Sequence, residues 1–240
     1  MDFYKVNELA SQCRRNWNIN LSDPIDIFSL VLDKIKNLTI VFLVMNDDIS
    51  GACYKSSSES IIFINSTHSK GRQSFTIAHE VYHLNFDDNN FNICGVASDD
   101  EVEKIADQFA SSLLMPQGAL ESYKNDNNIE TWSLDEIIAG EQYFQISHQA
   151  FLWRLRKLNE ISYEKYMDFK KDIKYNASIR GYNLSLYEPY LNKKHFTLGN
   201  YICLVEKAYN NDLISIGRKE EYLLEAYCED LVYNASMEDL

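Results

Sequence analysis

The segment His79-Glu80-x-x-His83 constrains this chain more than any other feature, because it lies inside a run of residues with helical spacing of apolar side chains. That spacing predicts a helix over residues 72–85. Residues four apart share one face of a helix, so the two imidazoles can converge on a single metal ion. Glu80 follows the first histidine and could reach a water on that ion without being a ligand itself.

A second helix is predicted from about Asp99 to Leu114, and it supplies the carboxylates that such a site needs. Zinc held by two imidazoles requires a third protein ligand, which Glu103 could provide. Asp107 lies four residues later on the same face and could orient a ligating imidazole through its other ring nitrogen. An alternative remains open, in which both carboxylates belong to a solvated acidic face together with Asp99, Asp100 and Glu101.

Two blocks of sequence resemble the ImmA/IrrE family of metallopeptidases. They are RQSFTIAHEVYH at residues 72–83 and ExxADxFAxxLLMP at residues 103–116. The resemblance extends over roughly residues 5–160 and includes a helix start at Pro24, a strand with Gly51 and a strand end at Asn65. One departure is Tyr82, which stands where the family usually has glycine.

The resemblance implies a zinc-dependent endopeptidase with one zinc ion, zinc ligands His79, His83 and Glu103, and Glu80 as the catalytic carboxylate. It further implies a specific protein substrate, a helix-turn-helix repressor or antitoxin of the kind often encoded by phage or mobile elements. We expect that substrate to lie extended along the edge of a small sheet. The group that stabilises the oxyanion stays open among four residues, which are Tyr82, Tyr123, Tyr143 and His148.

The predicted fold class is α+β. Strands are expected at residues 39–44, 50–54 and 60–65, forming a small antiparallel sheet, and residues 86–100 are expected to be irregular. We predict a zincin-like metallopeptidase domain over residues 1–125, a helix-turn-helix-like helical module over 126–175 and a C-terminal helical extension over 176–240.

The middle module has two interpretations. Short helices at residues 134–138 and 146–158, joined by a tight turn, are typical of a helix-turn-helix element. A basic cluster of Arg154, Arg156 and Lys157 would then contact DNA, or the module would only pack beside the metal domain. Two alternative functions therefore stay open: a DNA-binding transcriptional or stress regulator, and a protein-binding regulator that uses the same cleft without proteolysis.

Charge and cysteine usage favour a protein partner in the cytoplasm. The chain has 23 Lys and Arg against 36 Asp and Glu, a net charge of −13 that opposes non-specific binding to nucleic acid. None of the five cysteines forms a CxxC pair, the first residues lack the pattern of a signal peptide, and the longest apolar stretch, near residues 40–45, is too short to span a membrane. We expect a reduced cytoplasmic protein whose cysteines are buried apolar groups.

Overall fold

One five-stranded mixed sheet organises the computed structural model, which describes residues 3–95 and 100–233. The strands are β1 Leu38–Leu43, β2 Ile49–Lys55, β3 Ser60–Asn65, β4 Phe91–Gly95 and β5 Phe196–Gly199, in the order β4-β2-β3-β1-β5. Strand β3 is antiparallel to β2 but parallel to β1. The α+β class is confirmed, whereas the prediction of an antiparallel sheet is wrong.

Helices make up most of the remaining described chain. They are α1 Phe3–Asn16, α2 Ile27–Lys34, α3 Lys70–Phe86, α4 Glu101–Leu114, α5 Gln117–Asp126, α6 Leu134–Phe144, α7 His148–Lys157, α8 Tyr163–Phe169, α9 Ile173–Ile179, α10 Asn200–Asn210, α11 Ile216–Glu225 and α12 Glu229–Tyr233. Helix α2 starts after its N-cap Asp26 and not at Pro24. Within the described ranges no helix is long and apolar enough to cross a membrane.

Two of the five strands lie where the sequence analysis placed none. Strand β5 falls in the predicted helical extension, and it pairs antiparallel with β1, where Phe196 stacks on Phe42 at 4.0 Å between ring centroids. Strand β4 falls in the stretch expected to be irregular and pairs antiparallel with β2. The predicted C-terminal helical extension over residues 176–240 thus also contains a strand. The prediction that residues 86–100 are irregular is wrong for residues 91–95, which form β4.

Helix α1 holds α4 in place beside α3. Arg14 is fully buried, and its guanidinium donates hydrogen bonds to the carbonyls of Leu113 and Asn20, both at 2.7 Å. At the other end of α4 the side chain of Asp100 caps the helix by accepting from the backbone N–H of Val102 at 2.9 Å. Because both ends of α4 are fixed, its inner face is held against the helix that carries the two histidines. Asp99, where this helix was predicted to start, lies outside the described residues.

Helices α6 and α7 form the pair predicted from the sequence, but a DNA-binding helix-turn-helix is not confirmed by it. A capping box between Ser133 and Glu136 starts α6, Gln145 ends it in the left-handed conformation, and Ser147 caps α7. One hydrophobic core runs from Val6 in α1 to Phe196 in β5 and includes buried residues of both α6 and α7. The division of the chain at residues 125 and 175 remains a prediction.

Candidate metal centre

The two histidines of α3 face the same small volume inside the protein. His79 and His83 are both buried, and their Nε2 atoms lie 3.2 Å apart. The spacing of four residues along the helix causes this convergence. Both rings therefore present a nitrogen to one point, as predicted.

Glu103 of α4 closes a triangle with the two imidazoles. Its carboxylate oxygens lie 3.2 Å from His79 Nε2 and 3.3 Å from His83 Nε2. The Glu103 side chain is mostly shielded from solvent, so the alternative in which Glu103 belongs to a solvated acidic face is not what the structure shows. The structure thus brings together the three predicted ligands from two separate helices.

The separations among these atoms fit a tetrahedral ion. Zinc–nitrogen bonds of about 2.0–2.1 Å at tetrahedral angles would place neighbouring ligand atoms about 3.3 Å apart. The two Nε2 atoms lie 3.2 Å apart, and each faces a different oxygen of Glu103: Oε2 lies 3.2 Å from His79 and Oε1 lies 3.3 Å from His83. Two imidazoles and one carboxylate are also a donor set that suits zinc.

Carboxylates around the imidazoles favour a positive charge at this point. Burial alone would lower the pKa of His79, but hydrogen bonds with Asp107 and Glu103 raise it to about 10. Burial would likewise raise the pKa of Glu103, yet its hydrogen bonds with His79 and His83 bring it down to about 2. The cluster is therefore suited to a cation, either as protons on the imidazoles or as a metal ion.

Each imidazole is oriented by a carboxylate on its far side. His79 Nδ1 lies 2.8 Å from Asp107 Oδ1, in the arrangement expected from the sequence. His83 Nδ1 lies 3.0 Å from Asp87 Oδ2, a contact that the sequence analysis missed although Asp87 follows His83 by four residues. A proton on Nδ1, donated to the carboxylate, leaves the Nε2 lone pair free for a metal.

Glu80 lies on the same helix and is completely buried. Burial raises the pKa of its carboxyl group, while the charge of His79 and hydrogen bonds from the thiols of Cys94 and Cys53 oppose that shift. Neither carboxylate oxygen accepts from an N–H or O–H donor among the described residues. Its neighbours include Gly51, where an added Cβ would lie 3.0 Å from Glu80 Oε1. A buried carboxylate with only weak thiol donors beside it costs free energy, so this site fits a group that would contact Glu80 once bound. A metal ion with its water would be such a group.

Cys94 also belongs to this cluster, which the sequence analysis did not foresee. Its sulfur and the ligand atoms of His79, His83 and Glu103 all lie within 4.8 Å of one another. The thiol is buried, and this burial, followed by the charge of Glu80, raises its pKa. A single cysteine in an unpredicted strand gave no sequence signal for such a role.

A family model decides the relationship of the chain to known proteins. The model described as the IrrE N-terminal-like domain, Peptidase M78, matches residues 34–156, just over half of the chain. The chain belongs to this family. The predicted family is therefore confirmed, and the match includes α3, α4 and all four members of the cluster.

Other comparisons add little to this assignment. No curated protein matches the chain. Among solved structures, a Mycobacterium tuberculosis transcriptional regulator is similar at 12% identity with a TM-score of 0.45, and the match covers 63% of this chain. The chain spans 46% of the length of that regulator.

A cavity of about 250 Å³ adjoins the cluster in this M78 chain. It is lined by residues that include Arg72, Phe75, His79, Asp107, Gln149 and Trp153. The guanidinium of Arg72 donates to the hydroxyl of Ser50 at 3.2 Å. The cavity thus connects a metal-binding cluster to a cationic and an aromatic side chain.

Each of the four candidates for the oxyanion donor has a ring or a polar atom in contact with another residue. His148 is buried, with Nδ1 2.6 Å from Glu141 and Nε2 2.9 Å from the carbonyl of Phe169. Tyr82 is buried and packs its ring on Phe109. The rings of Tyr123 and Tyr143 pack on each other as well, so ring packing does not separate them from Tyr82 and the oxyanion donor stays open.

The predicted basic cluster of α7 is smaller than expected. Arg154 is buried, and its Nε donates to the carbonyl of Met115 at 3.2 Å. Arg156 and Lys157 are exposed, and the ammonium group of Lys157 lies over the ring of Trp153. Arg154 therefore holds α7 to the C-terminal end of α4 and is not available to a phosphate, which corrects its assignment to an exposed cluster.

Proposed function

We propose that this chain is a zinc-dependent endopeptidase. The observation that carries the proposal is the convergence of His79, His83 and Glu103 next to the buried Glu80 carboxylate, which no N–H or O–H donor among the described residues contacts. Each side chain alone has structural explanations, but together they match the parts that metal-assisted hydrolysis requires.

Zinc, when bound, would polarise the scissile carbonyl and acidify a coordinated water. Glu80 would accept the proton of the attacking water, because its carboxylate is next to the ligand triangle and contributes no ligand of its own. The burial that raises the pKa of Glu80 also makes its carboxylate a stronger base than an exposed glutamate. Glu80 would then deliver this proton to the leaving amine. Asp107 and Asp87 would keep both imidazoles oriented throughout.

The cavity offers a binding place for a side chain of the substrate. Arg72 presents a guanidinium there, with a hydroxyl as its described hydrogen-bond partner, and Trp153 presents an aromatic face. An acidic or aromatic residue next to the scissile bond would complement these two groups. We include such a preference in the proposal.

A DNA-binding protein is the substrate class that fits the charge of this chain. A net charge of −13 attracts a basic partner, and helix-turn-helix repressors and antitoxins present Lys and Arg on the surface that contacts phosphate. The family implies the same targets. We therefore propose a helix-turn-helix repressor or antitoxin as the substrate.

Co-expression with the repressor-like product of a neighbouring gene tests this proposal. We expect cleavage by the wild type and a rate about 10²- to 10⁴-fold lower for Glu80→Gln, because the amide cannot accept a proton. Glu164→Gln is a matched control, since Glu164 is exposed on α8, away from the cluster. Metal content and the circular dichroism spectrum should be unchanged in both variants.

Two other outcomes would favour the alternative functions. A repressor that is inactivated equally by wild type and Glu80→Gln, without cleavage, would indicate sequestration by a protein-binding regulator. Loss of function on changing the exposed pair Arg156→Ala and Lys157→Ala, with intact cleavage chemistry, would indicate a DNA-binding regulator.

A further inference from the structure

Strand β4 covers the outer edge of β2 at the level of the metal cluster. Cys94 pairs with Gly51 and Gly95 pairs with Ile49, so the register of β2 shifts by a bulge between these two pairs. Bulges of this kind redirect side chains and are frequent beside active sites. Here the bulge lies next to the pair formed by Gly51 and the cysteine.

The thiol of Cys94 belongs to a group of four side chains that could hold a metal ion. Cys94 is 2% exposed, and its sulfur lies within 4.8 Å of the ligand atoms of His79, His83 and Glu103. Thiolate is a common zinc ligand, and four protein ligands around zinc are typical of closed sites without room for water. The sulfur comes from strand β4, whereas Glu103 comes from α4 and the two imidazoles from α3.

We propose that Cys94 supplies the fourth ligand of the bound metal, and that β4 thereby keeps the site latent until it detaches. The latency part of this inference rests on the proposed function. The coordination by sulfur depends only on the geometry of the cluster. Detachment would break the metal–sulfur bond, the sulfur would take up a proton from solvent, and the fourth position would open to water.

Strand β4 has the properties of a segment that can leave. It has five residues, it lies at the edge of the sheet, and the two large side chains of Phe91 and Ile93 are 53% and 58% exposed. Few buried contacts would be lost on its departure. The edge of β2 would then be free to pair with an extended substrate segment. Binding of the substrate strand and opening of the metal site would therefore be coupled, because both need the place that β4 occupies.

Substitution of cobalt for zinc tests the sulfur ligand without any assay of activity. The full chain is prepared as Cys203→Ser, because the exposed thiol of Cys203 could bind added cobalt. We expect an intense near-ultraviolet thiolate-to-cobalt charge-transfer band in this protein, absent from the further variant Cys94→Ser. Cys53→Ser is the matched control and should keep the band, since Cys53 is equally buried beside Glu80 but outside the ligand group.

Several results would overturn the assignment. They are the absence of the band from the parent protein, its retention in Cys94→Ser, and its loss in Cys53→Ser alone. Since the parent spectrum is itself decisive, the test does not depend on the folding of any Cys94 variant. We also expect Cys94→Ser to bind zinc more weakly by more than about tenfold, the lower limit for losing a group that only orients a ligand.

Latency is tested by the rate of cleavage at saturating zinc. If the open state has the population of a typical minor state, Cys94→Ala should raise the initial rate by about 10- to 1,000-fold. An unchanged or lower rate, with the charge-transfer band present in the parent, would overturn latency. A band that depends on Cys94, with no cleavage by any variant, would instead refute the peptidase proposal and leave a closed, non-hydrolytic metal site.

Discussion

Replacing Asp107 or Asp87 by asparagine should weaken zinc binding without removing a ligand. Each carboxylate accepts a hydrogen bond from Nδ1 of one imidazole, at 2.8 Å for the Asp107–His79 pair and 3.0 Å for the Asp87–His83 pair. Asparagine keeps the shape and one acceptor oxygen but loses the charge that polarises the ring. The change therefore isolates the contribution of these outer carboxylates.

The structure indicates which of the two substitutions should weaken zinc binding more. Loss of such a partner generally costs 10- to 100-fold in metal affinity, or about 1.4–2.7 kcal/mol. The Asp107 side chain is 51% exposed, so solvent screens its charge, whereas that of Asp87 is 11% exposed. We therefore expect the zinc dissociation constant to rise about tenfold in Asp107→Asn and about 100-fold in Asp87→Asn. The second oxygen of Asp87 accepts from the backbone N–H of Asn89 at 3.1 Å. Asparagine has one acceptor oxygen and can serve only one of these two donors, which adds to the larger effect expected for Asp87→Asn.

Competition with a chromophoric zinc chelator at fixed pH and ionic strength measures both constants. Asp168→Asn is the control, because Asp168 is exposed on α8, away from the cluster, and its substitution should leave the dissociation constant unchanged. The reasoning would be refuted if Asp107→Asn and Asp87→Asn both bound zinc as the wild type does. A larger loss for Asp107→Asn than for Asp87→Asn would refute the part played by burial.

Two further predictions concern stability, measured by urea unfolding. Gly71→Ala should lower the free energy of unfolding by about 1–3 kcal/mol, because the added Cβ would lie 2.7 Å from the backbone nitrogen of Ser147. Gly118→Ala meets open space and should raise the free energy of unfolding by about 0.4–1 kcal/mol. Equal effects of the two substitutions would contradict the close contact at Gly71. Burial, and then the charge of Arg72, lower the pKa of His68 to about 4. Between about pH 6.5 and pH 4 the unfolded chain therefore binds more protons than the folded one, so the free energy of unfolding should fall as the pH falls through that window. The fall should be smaller in His68→Gln. Equal dependence on pH in the two proteins would show that His68 does not titrate in this way.

The sequence by itself determined the local arrangement of the metal site. Two histidines four residues apart meet on any helix, and the apolar period around them is sufficient to predict that helix. The carboxylates Glu103 and Asp107 share a helical face for the same reason. Such features depend on neighbours within one or two turns, which a single sequence displays directly. The family resemblance rests on the same two helices.

Only the tertiary structure decided which groups from distant parts of the chain meet at that site. Strand β4 carries Cys94, but it is short and its large apolar residues Phe91 and Ile93 occupy the exposed positions, so its sequence does not show the apolar-inward alternation by which a strand is predicted. Strand β3 runs in the same direction as β1 and lies next to it, between β1 and β2, so this pair is parallel. Strand β5, from a distant part of the chain, pairs with the other edge of β1. Pairing partners in a sheet depend on contacts between residues far apart in sequence, whereas helical spacing is local. For this reason the two imidazoles were predictable, and the thiol that faces them was not.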